Sequence, residues 1–321
     1  PRLVAQIDVP RCPVTGVALT MAMPGQPQPS DAVVMPLFEG AGCAAGNLAV
    51  VSRQAEQARA GRGAREMAEI VRQLQAGEAQ EVAGLDLSAW RRLVTLTTLC
   101  APLEGSGASA QAALQPLHVL PPPRVRVLNP YQGVQALLTL LFTAPAYARS
   151  LAEIGTLMPH AQARRAYYLF MNALLARRLS ARGAVPREQV RAVMEQAWSH
   201  PLVQQRWAAL AQTLKPEQAE RVVRLAAQRG AGAAWRWTDA AAATEGWALE
   251  TGGLVGGLVG GEDGLVLGVD RPAVPLNGPA GVPASGPARW PARHPSATGL
   301  APRGAPGRPT GNPRRPSRGS A

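Results

Sequence analysis

Lysine is almost missing from this chain: Lys215 is the only one among 33 basic residues, and the rest are arginine. Abundant Arg, Ala, Gly and Pro are what a GC-rich coding sequence produces. The placement of the arginines therefore carries more information than the preference for them. Cysteine is scarce as well. Cys12, Cys43 and Cys100 stand far apart with no Cys-x-x-Cys pair, which excludes a disulfide framework and favours an intracellular chain. The four histidines, His118, His160, His200 and His294, are equally dispersed. None has the spacing of a zinc ligand set, so neither a metal site nor a cofactor is expected. Aromatics make up 4% of the residues. No Gly-x-Ser-x-Gly elbow and no lysine-bearing phosphate loop occurs, which removes two common enzyme signatures.

Long apolar runs are also absent. The closest approach is TGGLVGGLVGGEDGLVLGVD, Thr251 to Asp270, where glycine recurs every fourth residue. A membrane helix needs about 20 apolar residues, and Glu262 with Asp263 interrupts this stretch, so no membrane span is expected. Glycine disfavours helix by nearly 1 kcal/mol per residue in water. The stretch reads instead as a flexible connector containing a hairpin at Gly-Glu-Asp-Gly. The chain opens on Pro1 without an initiator methionine and without a basic start ahead of an apolar run. It therefore reads as a processed chain or a fragment.

The remaining composition, 46% hydrophobic over 321 residues, can bury a substantial core. Residues 1–46 contain short Val-, Ile- and Thr-bearing stretches, Leu3 to Asp8, Val14 to Met21 and Ala32 to Phe38, separated by proline clusters. They predict a small β-rich portion, truncated if the chain is a fragment. From about Asn47 the apolar period lengthens. Met67, Ile70, Val71 and Leu74 share one helical face, and Asp86 is placed to cap a second helix running to Cys100, within a helical segment 47–118. The proline-rich run at 119–129 predicts an extended link.

Residues 130–230 predict an antiparallel bundle of about six helices or a short helical-repeat stack. Asn129-Pro130 is an N-cap followed by proline at the first helical position. Pro145, Pro186, Pro201 and Pro216 head further amphipathic runs, and Gly155, Gly183 and Gly230 are available as C-terminal stops. Glu217 with Arg221 and Glu220 with Arg224 are spaced as i, i+4 pairs. An acidic Ala/Gly-rich connector, 231–270, follows. The last segment, 271–321, contains no acid and is dominated by proline, glycine and arginine, a composition that predicts a disordered tail. The fold class is thus mainly α, with a small β-rich start and a disordered basic end.

The charge is unevenly laid out: net +1 over 1–129, +8 over 130–230, −5 over 231–270 and +8 over 271–321. Two basic sites follow. On the helix predicted near His160 to Ala181, Arg164, Arg178 and Arg182 fall within roughly 40° of each other, with Tyr168 alongside, a surface that holds phosphates and stacks a base. In the tail, Arg303, Arg308, Arg314, Arg315 and Arg318 form an unopposed polyanion arm. The expected function is a non-enzymatic interaction or scaffold module within a larger assembly, with a protein partner and with RNA or another polyanion bound by the arginines.

Two alternatives rest on shorter motifs. Glu39 to Asn47, EGAGCAAGN, fits Gly-x-Gly-x-x-Ala through Gly40, Gly42 and Ala45 after a strand-like run, so the Gly40–Gly46 turn is a candidate for a nucleotide-binding enzyme. The string LLTLLFTAP, Leu137 to Pro145, with Arg149 beyond it, resembles the helix after the nucleophile in ubiquitin-specific proteases. That resemblance places the catalytic cysteine on Gln132 and its neighbouring asparagine on Gln135. It implies a catalytically dead scaffold, because glutamine supplies no thiolate.

Overall fold

The computed structural model of the chain describes residues 7–39, 42–43, 46–101, 114–144, 147–180, 186–230, 235–238 and 264–267. Among them are nine helices and a small amount of sheet. The first regular structure is an antiparallel pair, β1 (Ala32–Pro36) with β2 (Leu48–Ser52), in the register Ala32 to Ser52 and Val34 to Val50. Every residue of β2 is buried. Its alternate side chains serve two clusters: Leu48 and Val50 pack with Ile7, whereas Ala49 and Val51 enter the main core with Met35 and Leu37. The change to helix at Asn47 is corrected here: residues 48–52 are strand. Of the earlier stretches, 14–21 forms isolated bridges such as Arg11 to Ala18 and Thr20 to Asp31 rather than a strand.

Helix then begins at once. Ser52 caps α1 (Arg53–Arg59) by accepting from the Ala55 amide at 3.4 Å. At its other end Arg59 turns back to donate to the carbonyls of Pro36 (2.6 Å) and Leu37 (3.1 Å), tying the helix to the end of β1. Next, α2 (Ala64–Ala76) buries Met67, Ile70 and Leu74, the spacing read from the sequence, and stops at Gly77 in the left-handed region. A two-residue turn, Ala83-Gly84, with positive φ at both positions, joins the short strands β3 (Glu81–Val82) and β4 (Leu85–Asp86). Asp86 accepts from the Ala89 amide at 2.8 Å and caps α3 (Leu87–Leu99) as expected.

The proline-rich run at 119–129, expected as an extended link, is mostly buried. Val119, Leu120, Val125 and Val127 belong to the same core cluster as residues on both sides of it. Proline lacks an amide donor, so a buried run of prolines leaves fewer unsatisfied groups than its length suggests. Arg126 and Val127 form β5, which continues into a three-stranded antiparallel sheet with Gly264–Leu267 and Trp235–Thr238. In chain order the added strands are β6 (Trp235–Thr238) and β7 (Gly264–Leu267), and the sheet order is β5-β7-β6. The second arm of the expected Gly-Glu-Asp-Gly hairpin thus pairs with 126–127 and 235–238. Its first arm and the expected disordered tail, 271–321, lie outside the described residues.

Six helices make up 130–230. Asn129 caps α4 (Pro130–Phe142), accepting from the amides of Tyr131 and Gln132. This helix is buried on nearly all sides, including Gln132, Gln135 and Thr139, and is the central rod of the unit rather than an amphipathic outer helix. Around it lie α5 (Tyr147–Leu157), α6 (Ala161–Ser180), α7 (Arg187–Ala197), α8 (Pro201–Ala211) and α9 (Pro216–Gln228). Pro201 and Pro216 occupy the first turns of α8 and α9 as expected. Pro186 is instead the residue before α7, and Pro145 lies outside the described residues. The apolar stripes on α8 (Val203, Trp207, Leu210) and α9 (Ala219, Val222, Val223, Ala226) are all buried. His160 brings the start of α6 to within 3.0 Å of the Thr213 carbonyl after α8, so the two helices run antiparallel.

Gly230 ends α9 with φ +69. Gly155 does not end a helix; it is a buried residue inside α5. A Cβ there would approach the Tyr168 hydroxyl to 2.6 Å and its Cζ to 2.9 Å, so glycine allows α6 to lie close against α5. Gly183 lies outside the described residues.

The thiols behave differently from one another. Cys100 is buried and bonded to the carbonyls of Gly46 and Arg126, and burial pushes its thiol up to about 12. Burial raises the Cys12 thiol too, but hydrogen bonds from Ser52 and Thr15 outweigh it and leave the group below its ordinary value. Cys43 is exposed. Titration of the native protein with a chromogenic disulfide reagent should release about one equivalent of thiol quickly, the other two reacting only on denaturation. Rapid release of all three would contradict the buried placement of Cys12 and Cys100.

Candidate functional site

The arginine surface of α6 is placed by six inward residues, Ala163, Tyr167, Phe170, Met171, Ala173 and Leu174, which press one side of the helix into the core. Tyr167 donates its hydroxyl to the Leu151 carbonyl at 2.7 Å, and burial pushes its phenol well above its ordinary value. Its neighbour Tyr168 crosses it edge-on, with ring centroids 5.4 Å apart, and remains 45% exposed. The opposite side of α6 carries Arg164, Arg165, Tyr168 and Leu169 to solvent. Arg165 and Leu169 were not singled out from the sequence. The signal was present in the helical period, since both lie next to Arg164 and Tyr168 around the axis.

Arg178 has a different setting. Its Nε donates to the Phe142 carbonyl at 3.3 Å, and its guanidinium sits 5.8 Å from the Tyr147 ring centre. These contacts bind it to α4 and α5, so α6 offers Arg164 and Tyr168 together but holds Arg178 apart in a structural contact. Arg182 lies outside the described residues, as do Arg303, Arg308, Arg314, Arg315 and Arg318.

Ion pairing on the bundle is sparse. Arg149 pairs with Glu153 at 3.1 Å, Arg191 with Glu195 at 2.8 Å and Arg224 with Glu220 at 4.0 Å. The other expected pair, Glu217 with Arg221, does not close among the described residues. Arg164, Arg165, Arg187, Arg221 and Arg229 are exposed and form no ion pair among the described residues. Surface pairs are worth little, so these unopposed charges matter for what they attract more than for stability.

The turn between Gly40 and Gly46 lacks the setting of a nucleotide cradle. It connects β1 to the antiparallel β2, and no helix N-terminus follows it. The Asn47 amide closes the turn from within: Nδ2 donates to the carbonyls of Phe38 (2.8 Å) and Gly42 (2.7 Å), and Oδ1 accepts from the Phe38 amide (2.9 Å). The positions that the protease resemblance would make catalytic are closed too. Gln132 and Gln135 are fully buried, donating through Nε2 to Thr98 Oγ1 and to the Gln115 carbonyl, each at 2.9 Å.

A second group of residues was not assembled by sequence reading. The first half of α3 and the end of α7 border a cleft of about 500 Å³, lined by Ser88, Arg91, Arg92, His118, Gln196 and Ser199 among others. These come from three separated segments, so no local spacing marks them. Among the described residues no helix is long and apolar enough to cross a membrane, and no group of three or more potential ligands is placed to hold a metal ion. No protein-family model, curated protein or solved structure matches the chain.

Proposed function

We propose that the chain is a non-enzymatic helical interaction module, acting inside a larger assembly, whose exposed arginines bind RNA or another polyanion. The observation that carries this reading is the surface of the bundle, where Arg164 and Arg165 lie beside the exposed Tyr168 and Leu169 with no acidic partner among the described residues. Arginine beside an aromatic ring suits a phosphate with a stacked base. The basic sequence of 271–321 adds a second, sequence-independent source of attraction.

The direct test is binding of a labelled generic single-stranded RNA to Arg164→Gln/Arg165→Gln. Loss of two phosphate contacts should weaken binding by about threefold to tenfold at low salt, with the thermal midpoint unchanged. Tyr168→Ala should weaken it by about fivefold or more through lost stacking, worth about 1–3 kcal/mol per base. Binding indifferent to all three substitutions would remove the helical surface from the account.

A further inference from the structure

The cleft between α3 and α7 has a charge arrangement that the fold itself does not use. Arg92 is anchored, its Nη1 donating to the Val14 carbonyl at 3.3 Å. Arg91 forms no ion pair and donates no side-chain hydrogen bond among the described residues, although partial burial strips it of enough water to lower its pKa. A guanidinium held in a cleft with its donors unspent gains a strong charge-assisted bond when an anion arrives.

The acids nearby do not meet that demand. Glu195 is 8% exposed, and its Oε1 is spent on the Leu120 amide at 3.0 Å and on Arg191 Nε at 2.8 Å. Asp86 spends an oxygen on the Ala89 amide at the start of α3. The remaining polar lining is donor-rich: the hydroxyls of Ser88 and Ser199 and the amide of Gln196. His118 stands across from the arginines with Nδ1 3.3 Å from Ser199 Oγ. Among the described residues no Phe, Tyr or Trp lines the cavity, and His118 contributes the one ring.

We propose that this cleft binds a phosphate monoester carried by a small polar molecule, the phosphate on Arg91 and Arg92 and the polar body among Ser88, Gln196 and Ser199. The volume of about 500 Å³ is several times that of a phosphate alone and within the range of small-molecule sites. Burial, and then the charges of Arg91 and Arg92, lower the His118 pKa to about 4 in the empty cleft. The site shares no residue with the α6 surface, so the two proposals stand or fall separately.

The test is calorimetric titration of the full chain with glucose 6-phosphate, inorganic phosphate and glucose. Glucose 6-phosphate should bind with a Kd of about a millimolar or tighter and more tightly than inorganic phosphate, while glucose gives no signal. Arg91→Gln should weaken glucose 6-phosphate by about tenfold or more, the loss of one hydrogen bond to a charged group, with an unchanged thermal midpoint. The groups lining the cleft with His118 are Asp86, Arg91 and Arg92 at the start of α3 and Glu195 and Ser199 at the end of α7, Glu195 being paired with Arg191. A bound phosphate adds negative charge to that set, so the His118 pKa read by NMR should rise from about 4. Absence of binding at about 10 mM, equal affinity for inorganic phosphate, or indifference to Arg91→Gln would each overturn the proposal.

Discussion

Replacing Trp198 with alanine should destabilise the protein by about 3–5 kcal/mol, a drop in thermal midpoint of about 10 °C or more. Trp198 is fully buried and is the centre of an aromatic triad: its ring lies 5.5 Å from Phe170 of α6 and 5.5 Å from Trp207 of α8, and those two are 5.4 Å apart. The triad therefore joins α6 and α8 to the end of α7. Trp198 also donates Nε1 to Thr139 Oγ1 at 2.9 Å, reaching the central α4. Thr139 keeps its own bond to the Gln135 carbonyl at 2.7 Å, so loss of the indole donor leaves no orphaned hydroxyl proton. Trp198→Phe should accordingly cost about 1–2 kcal/mol, much less than alanine. Chemical denaturation separates the two. A cost below about 1 kcal/mol for Trp198→Ala would mean that the triad is not the centre of the bundle.

The second large effect is expected at Gly46. Its φ of +81 lies in the left-handed region, which costs a residue with a Cβ about 1–2 kcal/mol. A Cβ at this position would also meet Arg126 Cγ at 2.3 Å and Cδ at 2.6 Å. Arg126 is 4% exposed and its backbone amide donates to the Gly46 carbonyl at 2.9 Å, so the side chain has little room to withdraw. Gly46→Ala should therefore cost about 3 kcal/mol or more, the conformational cost plus overpacking. Gly77 supplies the control. It has a similar φ of +78 with open space around it, so Gly77→Ala should show the conformational cost alone. Equal losses at the two positions would show that the Arg126 contact is relieved at no cost.

Helix ends and outer helices were legible in the sequence because they follow local rules. Met67, Ile70 and Leu74 share a face whatever lies elsewhere, and Asp86 and Asn129 cap helices through their own side chains. Features set by distant partners were not legible. LAVVS at 48–52 shows no alternation because both faces of β2 are buried, so a strand read as the onset of a helix. Gly155 looked like a helix stop, but the Tyr168 ring laid across α5 is what requires it. The proline run at 119–129 looked like a link, and only the core around it shows that it is buried.

The candidate sites divide in the same way. Arg164 and Tyr168 are four residues apart and share a surface by helical geometry alone. Arg178 satisfies the same angular argument, but the Phe142 carbonyl and the Tyr147 ring lie on its side of α6 and engage it. Arg91, His118 and Ser199 meet only because α3 and α7 enclose the segment between them.

The most direct measurement is fluorescence anisotropy of a labelled generic RNA across a salt series, with the full chain and with a chain ending at Asp270. The account predicts a Kd of about micromolar or tighter at low salt, a logarithmic decline with salt whose slope reflects several phosphate contacts, and a loss of about tenfold or more on truncation. Absence of binding by either chain at low salt, or an affinity insensitive to salt, would contradict it.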